Sequence, residues 1–247
     1  MRQWTALLLV FATAGCASGT SMPVMTSDPS PPERASLPPA IHWSRNAAEH
    51  SAVFRQTFRL AAERLRGMAA GRAAGSWGVI MDADETVLDN STYQKERAAL
   101  GEGFTSESWD AWVRRIEATA LPGASDFIAG VRALGGRVAI VTNRTEAVCP
   151  ETRENFVRAG IVVDVVLCRP PESGDKNPRF LAVQDGSTGS GLEPLEVLMY
   201  VGDNIQDFPG LRQELRMMAA PSYAAFGDRY IILPNPMYGS WETNPAR

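Results

Sequence analysis

Apolar positions recur along this chain with two alternating periods. Over residues 46–68, Val53, Phe54, Phe58, Ala61 and Leu65 fall at helical spacing, which predicts one long opening helix. After a glycine-bearing break at 71–75, residues 77–81 form a short unbroken apolar run, predicting a buried strand that ends at Asp82. Similar runs at 137–141, 162–167, 197–201 and 230–233 predict four more strands. Between them, helical spacing returns at Phe127, Ile128, Val131 and Leu134, then over 151–159 behind Pro150, and again over 178–183. Strands alternating with helices predict an α/β fold, a parallel sheet with helices on both faces. Residues 86–121 interrupt the alternation and carry Tyr93, Phe104, Trp109 and Trp112, so they predict a small cap over one end of the sheet.

Ligands of such sheets bind beyond the carboxyl ends of the strands. Polar residues follow three of the predicted strands at once: Asp82-Ala83-Asp84-Glu85-Thr86, Thr142-Asn143-Arg144 and Gly202-Asp203-Asn204-Ile205-Gln206-Asp207. A carboxylate fixed at a strand tip, Asp82, suits nucleophilic attack on phosphorus, and a second acid two residues on, Asp84, suits proton transfer to and from oxygen. The carboxylates after the fourth strand suit an oxygen-preferring cation such as Mg2+. Thr142, Asn143 and Arg144 offer a hydroxyl, an amide and a cation to phosphoryl oxygens, and Lys176 offers a further positive charge. The glycine-rich run 186–191 lacks the flanks of a phosphate-binding loop and reads as a linker. His42 and His50 lie before the first strand, too early for a strand-tip role and too few for a zinc cluster.

The segments M-D-A-D-E-T-V-L-D-N-S, V-T-N-R, V-G-D-N-I-Q-D-F and L-P-N-P-M-Y-G-S-W-E occur in this order. Together they resemble the motifs of the haloacid-dehalogenase-like (HAD-like) phosphohydrolases, and within them the bacterial class C acid phosphatases of subfamily IIIB, over about residues 41–242. The resemblance implies a Rossmann-like sheet with a small cap and a magnesium-dependent phosphatase acting on small phosphomonoesters, often 5′-nucleotides. It implies Asp82 as nucleophile and metal ligand, Asp84 as general acid and base with its backbone carbonyl on the metal, Asp203 as a further ligand and Asp207 orienting that shell. It assigns Thr142 and Lys176 to the phosphoryl group, and Trp109 and Tyr238 to a substrate base, with Asn90 and Tyr93 lining the entrance. A non-catalytic phosphate- or nucleotide-binding lipoprotein and a phosphotransferase on the same fold are the competing expectations.

The first residues carry a different message. Met1-Arg2, the apolar run 6–12 and the small residues beyond it describe a secretory signal, too short to span a bilayer. Thr13-Ala14-Gly15-Cys16 resembles the lipobox of bacterial lipoproteins, with Thr13 where leucine is usual, and implies lipidation of Cys16. The predicted organisation is a signal over 1–16, a Pro- and Ser-rich tether over 17–40 and a catalytic domain over 41–247, held on an outer membrane. Cys149 and Cys168 then either pair in an oxidising compartment or remain two buried thiols. A net charge of −4 without a basic stripe argues against nucleic acid as a partner.

Overall fold

The computed structural model describes residues 37–245, so the predicted signal, Cys16 and nearly all of the 17–40 tether lie outside the described residues. The described chain opens with α1 (Pro39–Asn46), whose proline sits in the first turn, where it has no hydrogen bond to lose. Ala47 is extended (φ −82°, ψ 132°) and separates α1 from α2 (Ala48–Ala69). The single opening helix predicted over 46–68 is therefore preceded by a shorter one that starts inside the predicted tether. His50, on α2, packs between the rings of Trp43 and Phe54.

Then follow β1 (Trp77–Met81), β2 (Leu88–Asp89), α3 (Ser91–Leu100), α4 (Ser106–Arg115), β3 (Thr119–Ala120), α5 (Ala124–Ala133) and β4 (Arg137–Thr145). The remaining regular elements are α6 (Cys149–Arg158), β5 (Val165–Arg169), α7 (Asn177–Asp185), β6 (Glu196–Gly202) and β7 (Tyr230–Ile232). Five strands form one parallel sheet in the order β5-β4-β1-β6-β7, which puts β1 at the centre.

Every residue of β1 is buried because the sheet is covered on both faces, which explains the unbroken apolar run. Val79, Met81, Val138, Ile140 and Val201 pack with Phe54, Phe58 and Leu65 of α2, Phe127 and Val131 of α5 and Phe156 of α6. Ile80, Ala139, Val141 and Tyr200 face the other way, onto Phe180 and Val183 of α7 and Phe208 beyond β6. A disulfide joins Cys149, at the start of α6, to Cys168 on β5, with Cα atoms 5.9 Å apart.

After β1 the chain runs to β4 and β5 on one side, then returns to β6 and β7 on the other. The crevice at the carboxyl ends beside β1 is thus the point where the strand order reverses, the place where this architecture binds ligands. The 86–121 segment stands beside it on a two-stranded antiparallel ribbon, Leu88 opposite Ala120 and Asp89 opposite Thr119. It carries α3 and α4, the latter entered through a reciprocal cap between Thr105 and Ser108.

Candidate active site

Asp82 sits one residue past β1, and its backbone N–H still bonds Val201 O at 2.9 Å. That bond carries the ladder between β1 and β6 one step further, so the carboxylate stands on a rigid tip. Lys176, at the entry to α7, reaches across the crevice and donates to Asp82 Oδ1 and, at 2.6 Å, to Asp207 Oδ1. All three side chains are buried. The second oxygen of Asp207 accepts the backbone N–H of Asn204 at 2.9 Å, which fixes the turn after β6. Gly202 is required there: a Cβ on it would run into the Asp207 carboxylate.

Asp203 completes a cluster in which Asp82, Asp203 and Asp207 each bring an oxygen within 4.8 Å of the others. Its Oδ1 accepts from Thr86 at 3.1 Å and its Oδ2 from Asn235 at 2.9 Å. Burial, with the charges of Asp207 and Asp82, raises the Asp203 carboxyl well above the usual range. Burial also pushes Asp82 up to about 7, against the pull of Lys176 and with help from Asp207 and Asp84. Burial alone would lower Lys176, but the two carboxylates it touches outweigh that and hold it protonated. One ammonium therefore faces several buried carboxyl groups, and the shortfall of positive charge is what a divalent cation would fill. All the donors are oxygen, which suits a hard ion. Asp82, Asp203 and Asp207 are able to hold a metal ion here.

Asp84 faces elsewhere. Its Oδ1 accepts from Arg144 Nε and from Asn90 Nδ2, each at 2.9 Å. Asn90 in turn accepts from Trp112 Nε1 at 2.8 Å and from Arg144 at 3.1 Å, so its amide is oriented from both sides. The chain turns sharply after Asp84 because Glu85 holds φ at +53°, a conformation L-residues adopt only under constraint. The constraint is visible: the Glu85 carboxyl is buried and receives the Asn90 backbone N–H at 3.0 Å.

Asp82, Asp84, Asn143, Lys176, Asp203 and Asp207 share a cleft of about 670 Å³ with Trp109 and Tyr238. Trp109 stacks edge-on against Tyr93 at 5.0 Å, and Tyr238 keeps a hydroxyl that is buried without a partner among the described residues. The floor is acidic, so an anion would need Lys176 and a bound cation to settle there, while the aromatic rim suits an apolar body.

Comparison with known proteins agrees with this geometry. Residues 13–241 match the family model described as HAD superfamily, subfamily IIIB (acid phosphatase). The chain belongs to the subfamily IIIB acid phosphatases. Its structure is similar to that of the class C acid phosphatase from Bacillus anthracis, with a TM-score of 0.72 and 31% identity over 82% of this chain and 85% of that one. A crystal structure of that enzyme with tungstate bound gives a TM-score of 0.72 and 30% identity over the same shares. Acid phosphatase 1 from Solanum lycopersicum is 35% identical over 161 residues, 64% of this chain. The match takes in 57% of the tomato protein, so the chain spans little more than half the length of this curated relative.

Within this subfamily member, some predicted site residues lie elsewhere than expected. Asn90 and Tyr93 do not line the entrance: Asn90 is fully buried behind Asp84, and Tyr93 is buried with its hydroxyl on Ser108 at 2.8 Å. Arg144 does not open onto the cleft either. It is buried, and its charge is committed to Asp84, with its guanidinium 5.8 Å from the Trp109 ring centre. Thr142, predicted to bind the phosphoryl group, is fully buried and its side chain is not among those lining the cleft; its Oγ1 accepts the Arg144 N–H at 3.1 Å. Two contributors had no sequence role. Arg179, in the first turn of α7, donates to Thr142 O and to Asn143 Oδ1 and so ties that segment to the loop carrying Lys176. Asn235, inside the L-P-N-P segment, holds Asp203 with one end of its amide and the Met237 N–H, at 3.0 Å, with the other.

Proposed function

We propose that this protein is a magnesium-dependent phosphomonoester hydrolase, that 5′-nucleotides are favoured substrates, and that Cys16 carries lipid anchoring it to an outer membrane. The observation that carries the reading is the pairing of two acids on one strand tip in different surroundings. Asp82 is held by Lys176 inside the carboxylate cluster, while Asp84, two residues on, is held outside it by Arg144 and Asn90. Two carboxyl groups set apart in this way are suited to two roles.

In the first step an Asp82 oxygen attacks phosphorus as the ester P–O bond breaks, and Asp84 gives its proton to the departing alcohol oxygen. In the second, Asp84 takes a proton from water, whose oxygen attacks the same phosphorus as the Asp82–phosphorus bond breaks. Orthophosphate leaves, and both carboxyl groups return to their starting state. Lys176 and the Asn143 amide offset charge on the phosphoryl oxygens. A Mg2+ held by Asp82, Asp203 and the Asp84 backbone carbonyl, with Asp207 orienting that shell, would offset the repulsion between an anionic nucleophile and an anionic ester; the close approach of the Asp82, Asp203 and Asp207 oxygens supports a cation there. The structure of a relative with tungstate, a tetrahedral oxyanion, supports a phosphate-sized pocket here. Trp109 and Tyr238, from two separate segments lining the same cleft, support a flat base in the substrate. The disulfide supports an exported protein.

The purified protein should release phosphate from an aryl phosphate at acidic pH with Mg2+ and stop when a chelator is added. Asp82→Asn should lose at least about a thousandfold in kcat while remaining folded. Full activity in that variant would end the reading. Unchanged nucleotide turnover in Trp109→Ala with Tyr238→Ala would remove the base contact, and an unlipidated N-terminal mass would remove the anchor.

A further inference from the structure

The cations of the cleft are matched to internal partners, with one exception. Lys176 is paired with Asp82 and Asp207, and Arg144 behind the cleft with Asp84. Arg179 spends both of its terminal nitrogens on Thr142 O, Asn143 Oδ1 and loop carbonyls, and only its buried Nε is left without a partner among the described residues. Arg169 ends β5 and lines the same cleft half-buried, yet no carboxylate or other acceptor bonds its guanidinium among the described residues.

Polar groups beside it are also left without partners. Thr145 is the register partner of Arg169 on β4 and lines the cleft too. The Thr145 Oγ1 is buried and has no partner among the described residues. A methyl placed on Gly174 would lie 3.7 Å from both the Arg169 Cδ and the Asn143 Nδ2, so these two side chains flank one stretch of loop. Asn143 gives its oxygen to Arg179 at 2.7 Å, which leaves its Nδ2 donor unspent. A half-buried guanidinium beside an orphaned hydroxyl is a poor arrangement for an empty protein and a good one for an oxyanion.

We propose that Arg169, assisted by the Thr145 hydroxyl, binds a second oxyanion of the substrate, a phosphate or carboxylate other than the group being hydrolysed. The inference rests on the phosphomonoesterase reading and deepens it by naming the substrate class. Preferred substrates are phosphomonoesters that bear another anionic group. The hydrolysed phosphoryl group sits over Asp82, and the second anion sits at the β4–β5 side of the cleft. Planar, two-pronged donation makes arginine suited to either oxyanion.

Two substrate series test this on the full protein with Mg2+: phenyl phosphate against carboxyphenyl phosphate, and a sugar monophosphate against the corresponding bisphosphate. The readout is the kcat/KM ratio within each series. The wild type should favour the doubly anionic member of at least one series, and the series with the larger preference names the oxyanion. Arg169→Gln should cut that ratio by about tenfold or more, the worth of one charge-assisted contact, and Arg169→Lys should restore part of it. A ratio unchanged in Arg169→Gln, or no preference in the wild type, would overturn the subsite. If the wild type hydrolyses none of the four esters, it is the catalytic reading that fails. Calorimetric titration of the sugar bisphosphate and monophosphate into wild type and Arg169→Gln then still decides the subsite by whether the bisphosphate preference disappears.

Discussion

At the scale of single residues, the site works by giving neighbouring carboxyl groups different company. Asp82 and Asp84 are two positions apart, yet one meets an ammonium inside a carboxylate cluster and the other a guanidinium and an amide. The Glu85 backbone at φ +53° makes that divergence, because an extended residue there would carry both side chains along one strand direction. The separation predicts a kinetic signature. In Asp84→Asn, attack by Asp82 on an aryl phosphate still proceeds, since a phenol departs with little help from an acid. Activation of water then fails. Stopped-flow measurement should show a burst of phenol near one equivalent of enzyme, followed by steady turnover about 10²–10⁴ times slower. An unchanged kcat would remove Asp84 from the mechanism. Asp82, Asp84, Asn143 and Asp203 were legible as candidates because each follows an apolar run, where a polar side chain has few structural reasons to be; Lys176, in the loop before α7, was legible through the resemblance. Arg179, Asn235 and the true settings of Asn90 and Arg144 were not. Their roles come from partners 36, 32, 22 and 60 positions away, a kind of pairing no local pattern records.

At the scale of elements, the apolar runs located the five strands, with shifts that have physical causes. The third predicted strand begins at Val165 instead of 162: Val162 is exposed, and Asp164, whose N–H bonds Val138 O at 2.8 Å, meets β4 with its side chain as well as its backbone. The Asp164 carboxylate caps the Val138 N–H at 2.8 Å and pairs with Arg132 and Arg137. The strand predicted over 137–141 extends to Thr145, but its register against β5 breaks between Val141 and Thr145. Side chains still alternate along it, which buries Thr142 and Arg144 and leaves Asn143 and Thr145 on the cleft, so three consecutive polar residues do not share one role. The break between α1 and α2 was not legible, because alanine at position 47 carries no signal for an extended backbone. The linker reading of 186–191 stands apart from all of this, at the end of α7 and away from the residues of the cleft.

At the scale of the whole molecule, the carboxylate cluster ties stability to pH and to cations. The Asp82 carboxyl is raised from 3.8 to about 7, and Glu85 and Asp203 are raised as well, all chiefly by burial. A raised acid favours folding fully below its unfolded value and loses that contribution as pH climbs through its folded value. Without a cation, the protein should therefore lose stability between about pH 4 and pH 7. Asp82 accounts for about 4 kcal/mol of that loss at most, at about 1.4 kcal/mol per tenfold change in proton affinity. Lys176 is raised as well, so the stability it contributes is lost only at alkaline pH and lies outside this window. A saturating divalent cation takes over the role of the protons, so the rise in Tm on adding Mg2+ should grow with pH across the same interval. Thermal melts with and without chelator measure it, and a Mg2+ effect independent of pH would contradict the cluster as the cation site.

These scales meet in one claim, that the phosphoryl group passes through a covalent bond to the carboxylate at the tip of β1. Rapid acid quench during turnover of a labelled phosphomonoester, followed by borohydride reduction and peptide mass analysis, reads that bond directly. The wild type should carry a phosphoryl label and, after reduction, an altered residue at position 82, and Asp82→Asn should carry no label. Label on any other residue would contradict the claim, as would full turnover with none trapped.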